Sequence, residues 1–306
     1  MAPPLIFDRK LLRARRRRAQ RLGPETFLLD RVAEDFADRL AAVLRRFDLA
    51  ADIGTPTAAV RTALARNGTI AAMIAVDPTI DAARGLAGDH AVAAALRVVA
   101  DEEALPFAAN SLDLVVSALA LQAVNDLPGA LVQIRRALKP DGLFLAALLG
   151  GDTLVELRQS FAAAESELEG GASPRVAPFP DLRDMGALLQ RAGFALPLTD
   201  VDRVAVRYSS PFALLRDLRR MGAANPLVER RLVPLRRATL LRAMDIYAAR
   251  FADADGKVRA SFDIVWLSGW APHESQQRPL RPGSAKMRLA DALGTVEIGA
   301  GEKPER

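Results

Sequence analysis

Between residues 48 and 150, apolar runs of strand length alternate with helical stretches, and this alternation limits the fold more than any other feature of the chain. The runs are LAADI (49–53), IAAMIAV (70–76), LRVVA (96–100), LDLVVSAL (112–119) and LFLAALL (143–149). Helices are expected from Pro56 to about Arg66, from near Thr79, and over 126–138. The last carries Leu127, Leu131, Ile134 and Leu138 on one face and stops at Lys139-Pro140-Asp141-Gly142. Strands that are apolar throughout are buried on both faces, which means a parallel sheet sandwiched between helices. Right-handed crossovers then make the sheet doubly wound.

After residue 151 the pattern changes. Helices are expected over 151–171, capped by Asp152 or Thr153, and over 180–194, closed by Gly193. Residues 201–208 alternate with period two and read as a strand exposed on one face. Arginine-rich helices at 211–222 and 226–251 precede a final strand at 260–270, where Trp266 and Trp270 read as core. The expected organisation is a basic arm at 1–46, a sheet domain at 47–210, a helical lid at 211–259, and a last strand with an irregular tail at 260–306.

Charge is unevenly placed. The chain carries +5, but residues 1–21 alone carry +7 and the remainder −2. The basic stretch RKLLRARRRRAQR has no apolar run behind it and does not read as a secretory signal. It reads as a solvated helix docked through Leu11 and Leu12, with an anionic membrane surface as the next candidate contact. No specific nucleic acid is expected. The expected location is cytoplasmic, with peripheral contact at the inner membrane through the arm. There are no cysteines, which removes disulfides, thiolate metal sites and a cysteine nucleophile.

In an open parallel sheet, ligands sit beyond the carboxyl ends of the strands. Here those ends carry Asp52 with Gly54, then Asp77, then Asp101-Glu102-Glu103, and Ser117. An acid after the second strand suits a ribose diol, because a carboxylate accepts from two hydroxyls. Asp101 suits an adenine amino group, with Leu105 and Phe107 as an apolar wall. Nothing nearby is built for phosphates, which favours a sulfonium nucleoside, S-adenosylmethionine, over a dinucleotide. The competing reading makes these acids helix caps. The expected cofactor-binding residues are therefore Asp52, Gly54, Asp77, Asp101, Glu102 and Ser117; no catalytic residue or metal ligand is assigned.

Residues 100–158 resemble the class I S-adenosylmethionine-dependent methyltransferases. Together with IFDRK (6–10), AESELEGGASPRVAPF (164–179) and SGWAPHESQQRPLRPGSA (268–285), they are similar to the mitochondrial complex I assembly factor 5 family and its bacterial relatives. The resemblance implies a Rossmann-like, mostly parallel seven-stranded α/β fold with a lid inserted before the last strand. It implies modification of a protein side chain, arginine in the human member, on a subunit of respiratory NADH:ubiquinone oxidoreductase. The alternatives are a non-catalytic assembly chaperone and a small-molecule or acyl-carrier O-methyltransferase. Two departures fall at the nucleoside site. The family's Gly-Cys-Gly-Arg-Gly is Gly54-Thr55-Pro56-Thr57-Ala58 here, and its frequent His-Trp is Gln122-Ala123. Methyl transfer needs little beyond a positioned sulfonium and an in-line nucleophile. Hydroxylation needs oxygen activated by a metal or organic cofactor. His90 and His273 are the two histidines from which a facial triad could be built; His90 reads instead as a surface residue and His273 as a hydrogen-bonding loop residue.

Overall fold

The computed structural model describes residues 5–66, 68–79, 96–277, 284 and 287–296. Two helices, α1 (Arg9–Arg21) and α2 (Phe27–Ala41), precede the sheet. Then follow β1 (Phe47–Ile53), α3 (Ala59–Ala65), β2 (Ile70–Asp77), β3 (Leu96–Val99), β4 (Leu112–Ala118), α4 (Leu127–Ala137) and β5 (Leu138–Gly150). The second half supplies α5 (Val155–Glu169), α6 (Leu182–Arg191), β6 (Ala195–Tyr208), α7 (Pro211–Arg220), α8 (Arg237–Phe251) and β7 (Val258–Trp270). The sheet order is β3-β2-β1-β4-β5-β7-β6. Strands β1 to β5 pair in parallel, and β7 runs antiparallel between β5 and β6. The strand order reverses between β1 and β4, so the crevice for a ligand opens beyond the ends of those two strands.

Both faces of the sheet are covered, as the uninterrupted apolar strands require. On one face pack Phe36 and Leu40 of α2, Phe161 of α5, and Met244 and Tyr247 of α8. On the other pack Leu131 and Ile134 of α4 with Met185 and Leu189 of α6. Trp266 of β7 is 1% exposed and meets Phe36 edge-on, with ring centroids 5.0 Å apart. The Arg39 guanidinium lies 4.3 Å from the Trp266 ring centroid. Trp266 is thus core; Trp270 is half-buried beside Arg45.

Several boundaries differ from those expected, each for a local reason. Helix α3 starts at Ala59, so Pro56 lies in the turn before it. Strand β5 begins at Leu138, and Lys139 to Gly142 sit inside it, with Asp141 at φ +63. Strand β3 is mostly exposed because it is the sheet edge. Residues 226–236 are not helical. Their backbone pairs with the chain start: Asp8 N–H donates to Pro226 O (2.8 Å) and Val228 N–H to Ile6 O (2.9 Å). Helix α2 belongs to the core, so residues 27–41 are body and not arm. The expected helix after Thr79, and His90, lie outside the described residues.

The chain divides into two compact units, residues 1–272 and 273–306. In the second, the described residues include a short helix, α9 (Leu289–Leu293). There His273 Nδ1 lies 2.7 Å from Ser275 Oγ, the hydrogen-bonded loop role expected for it. Among the described residues no helix is long and apolar enough to cross a membrane.

Trp266→Ala should destabilise the protein by roughly 3–5 kcal/mol, because the cavity it leaves lies between a strand and α2. Urea unfolding followed by far-UV circular dichroism measures this.

Candidate functional site

The β1 end is held by an internal network. Asp52 is fully buried and ion-paired with Arg61 of α3, itself 4% exposed. The Thr55 hydroxyl donates to Asp52 Oδ1, and Thr55 Oγ1 accepts from Ala118 N–H (3.1 Å). Ser117 donates to Ile53 O (2.7 Å) and is also fully buried. Neither Asp52 nor Ser117 borders the cavity described below. Both had been expected to contact a cofactor, and both instead fasten β1 to β4 and α3. A buried carboxylate needs such partners, and with them it is satisfied inside the fold.

Gly54 alone makes the turn after β1. It has φ +70, and its N–H donates to Val76 O (2.8 Å). A Cβ there would stand 2.7 Å from Glu102 Oε1, so the Glu102 side chain lies directly against the glycine. Ala58 has φ −80, a conformation open to any residue. The turn therefore needs one glycine for its backbone, and Pro56 and Ala58 do not strain it.

The acids at the end of β3 are occupied by α1. Arg9 Nη2 lies 2.7 Å from Asp101 Oδ1 and also pairs with Glu102. Arg13 pairs with the other Asp101 oxygen. Arg16 Nη1 lies 3.6 Å from Glu102 Oε1. Arg9 also donates to Ala123 O (3.0 Å). Glu102 is 1% exposed. The neighbouring arginines and the Glu103 N–H outweigh burial at Asp101 and hold its carboxyl below the usual range. Asp101 therefore does not present a free carboxylate to adenine in this conformation. The arm, expected to be a solvated helix, turns these arginines inward. Its start is tied by Asn125, whose Oδ1 accepts from Ile6 N–H and Phe7 N–H, both at 2.8 Å. Leu12 docks as expected, buried with Phe7, Ala123 and Leu227.

Asp77, at the end of β2, is different. It is 4% exposed, and no hydrogen bond or ion pair reaches its carboxylate from the described residues. Burial, then the charge of Asp52, pushes its pKa up to about 6 against the pull of Arg61 and Arg16. Asp77 borders a cavity of about 180 Å³ together with Gly54, Pro56, Arg16, Gln122 and Phe179. Gln122 Nε2 donates to Leu119 O (2.8 Å), while its Oε1 is buried without a partner among the described residues. The cavity continues into an apolar floor that includes Leu149, Leu154 and Phe262. Glu165 steadies one wall from outside: fully buried, it accepts from Ser173 N–H (2.6 Å) and pairs with Arg175, just before Ala177 and Phe179.

These residues fit a nucleoside at its ribose end. Asp77 is a buried acceptor suited to a diol, without a partner among the described residues, and Gly54 borders the same cavity with the Glu102 side chain packed against it. At the adenine end, Asp101 and Glu102 face arginine side chains instead. The cavity is smaller than the roughly 300–1,000 Å³ usual for drug-sized ligands, so a whole cofactor enters only as arm side chains give way. Arg16 is not expected at the site from sequence, and Gln122 is placed there only by the family resemblance, as a departure from its His-Trp pair. A charge in a basic run and an amide after a strand look the same whether they face solvent or a cavity. No group of three or more His, Cys, Asp or Glu side chains arranged to hold a metal occurs among the described residues.

A buried carboxyl whose pKa is raised from 3.8 to about 6 weakens the fold above its unfolded value, and the penalty disappears as pH falls through 6 towards 4. Asp77→Asn should therefore be more stable than the parent at pH 7, by up to about 3 kcal/mol. The difference should close between pH 6 and pH 4. Thermal unfolding of both proteins across that range checks it.

A family profile described as "Methyltransferase domain" matches residues 51–146. Among solved structures, a putative methyltransferase from Bacillus halodurans aligns with a TM-score of 0.55 at 14% identity, covering 78% of this chain and 99% of that one. The YcgJ protein from Bacillus subtilis aligns with a TM-score of 0.54 at 16% identity, covering 78% and 99%. These likenesses establish the class I methyltransferase fold. The arginine-hydroxylase NDUFAF5 of Homo sapiens is 41% identical over 95% of this chain and 84% of its own length. That of Danio rerio is 39% identical over 94% and 89%. A malonyl-[acyl-carrier protein] O-methyltransferase from Gallionella capsiferriformans is 38% identical over 58% of each chain. Because the first kinship covers 94–95% of the chain, well beyond the sheet, the chain belongs to the NDUFAF5 arginine-hydroxylase family, built on the class I methyltransferase fold.

Proposed function

We propose that this protein binds S-adenosylmethionine at Asp77 and the Gly54 turn, and modifies an arginine side chain on a subunit of NADH:ubiquinone oxidoreductase during assembly of that complex. The observation that carries the cofactor reading is the buried carboxylate of Asp77 at the cavity wall, which has no hydrogen-bond partner among the described residues. The arginine reading rests on near full-length kinship to proteins named for arginine hydroxylation. Similarity to two malonyl-[acyl-carrier protein] O-methyltransferases covers 58% and 72% of the chain, against 94–95% for the arginine-hydroxylases, which favours the arginine reading.

S-Adenosylmethionine supplies an activated methyl group on sulfonium when bound. The chain's own contribution is placement. Asp77 accepts from the ribose hydroxyls. Gly54 makes the turn that borders the cavity and leaves room for the Glu102 side chain packed against it. Gln122 Oε1 is available to a donor on the ligand or substrate. The apolar floor and α1 exclude water, which strengthens every polar contact inside. Inward-facing arginines account for much of the arm's charge without a membrane.

Calorimetry of the purified chain with S-adenosylmethionine should detect binding, weakened about 10- to 100-fold in Asp77→Ala, the loss expected for hydrogen bonds to a charged group. Peptide mass spectrometry of the complex from cells with and without the protein should find an arginine whose mass gain is lost on deletion. A gain of one oxygen identifies hydroxylation; a gain of one methylene identifies methylation. No binding at millimolar ligand, together with full rescue of complex assembly by Asp77→Ala, would overturn this reading in favour of a non-catalytic assembly factor.

A further inference from the structure

Among the arginines of α1, Arg16 is placed differently from its neighbours. Arg9 and Arg13 make hydrogen bonds to Asp101, and Arg9 also to Glu102 and Ala123 O. Arg15 bonds Asn225 O. Among the described residues Arg16 has one ion pair, a long contact to Glu102 at 3.6 Å, and it lies within electrostatic reach of Asp77. It nonetheless borders the same cavity as Asp77 and Gly54. Its backbone is closely held, since a Cβ on Gly222 would stand 3.1 Å from Arg16 Cα. The guanidinium therefore sits at a fixed root, without a hydrogen bond shorter than 3.5 Å among the described residues, and borders the same small cavity as the Asp77 carboxylate, whose charge it feels.

Besides its adenine, S-adenosylmethionine presents a ribose diol and a zwitterionic amino-acid end. Asp77 suits the diol and repels the carboxylate. The first loop offers the carboxylate little: Pro56 has no N–H, and α3 is a seven-residue helix. Of the other cations bordering the cavity, Arg13 pairs with Asp101, and Arg220 donates to Gly23 O (2.8 Å) and pairs with Glu25. A guanidinium meets a carboxylate through two parallel hydrogen bonds, which a loose 3.6 Å ion pair does not match.

We propose that Arg16 is a ligand-binding residue that takes the carboxylate of the methionine portion, exchanging its loose contact with Glu102 for a bidentate one. This rests on the cofactor reading above. It makes the arm part of the binding site, and it explains how a loop short of glycines and backbone donors could still hold the amino-acid end.

The test is calorimetry with two probes: S-adenosylhomocysteine, which has the carboxylate, and 5′-methylthioadenosine, which has the nucleoside without it. Arg16→Gln should weaken S-adenosylhomocysteine about 10- to 100-fold while changing 5′-methylthioadenosine less than about threefold. Arg16→Lys should recover part of the loss. Equal loss for both probes means that Arg16 only braces Glu102 and overturns the inference, as does no loss for either. In both of those cases the cofactor reading stands, because the parent protein binds. A parent protein that binds neither probe overturns both. Far-UV circular dichroism of each variant confirms that the fold is kept.

Discussion

Two carboxylates at the end of β3 face three guanidinium groups projecting from α1, and Glu102, almost wholly buried, is the pivot of the group. Removing the arginines would leave a buried charge without a counterion, a cost of several kcal/mol in a typical protein. The network therefore does more than decorate the surface. It presses Glu102 against Gly54, seats α1 over the strand ends, and turns an open crevice into a walled cavity. The seat is reinforced by backbone pairing of residues 6–8 with 226–228 and by the amide of Asn125. The arm, the lid connection and the sheet rim are one structural unit.

How legible this was in the sequence depended on the range of the interaction. The sheet was readable because each apolar run reports its own burial, and the strand order found is the one a doubly wound chain with a reversed last strand should have. The strand-end acids were also readable, but not their fates. Asp52, Asp77 and Asp101 look alike as acids after apolar runs. One is locked to Arg61 nine residues away, one has no partner among the described residues, and one is held by arginines 88 and 92 residues away. Pairings at that distance leave no periodicity behind. The arm was misjudged for the same reason, because a run of arginines carries no mark of which side chains turn inward. The composition of residues 226–236 reads as helix, whereas Pro226 O and Val228 N–H pair with the backbone of Asp8 and Ile6.

The degenerate glycine loop raises a separate point. A glycine-rich loop supplies left-handed backbone, room for a ligand, and N–H donors. Here Gly54 alone meets the first need. Thr55 and Arg61 hold Asp52, so the loop is rigid without further glycines. What Pro56 removes is a donor and some room, and those losses fall on ligand binding alone. The loop is thus compatible with the fold whatever the cofactor affinity, and its departure from the family pattern does not by itself argue that chemistry has been lost.

Asp77 bears on that question more directly. A buried carboxylate that helped only the fold would be expected to resemble Asp52, with a guanidinium and a hydroxyl in contact. Asp77 is nearly as buried, has Asp52 as an unfavourable neighbour, and is held partly protonated near neutral pH. The fold gains nothing visible from leaving it so, and a neutral side chain of the same shape would relieve the penalty. A cost of this kind, offset only in part by Arg61 and Arg16, falls where strand order directs a ligand and in the same cavity as the Gln122 oxygen that has no partner among the described residues; the proposed ribose contact would relieve it.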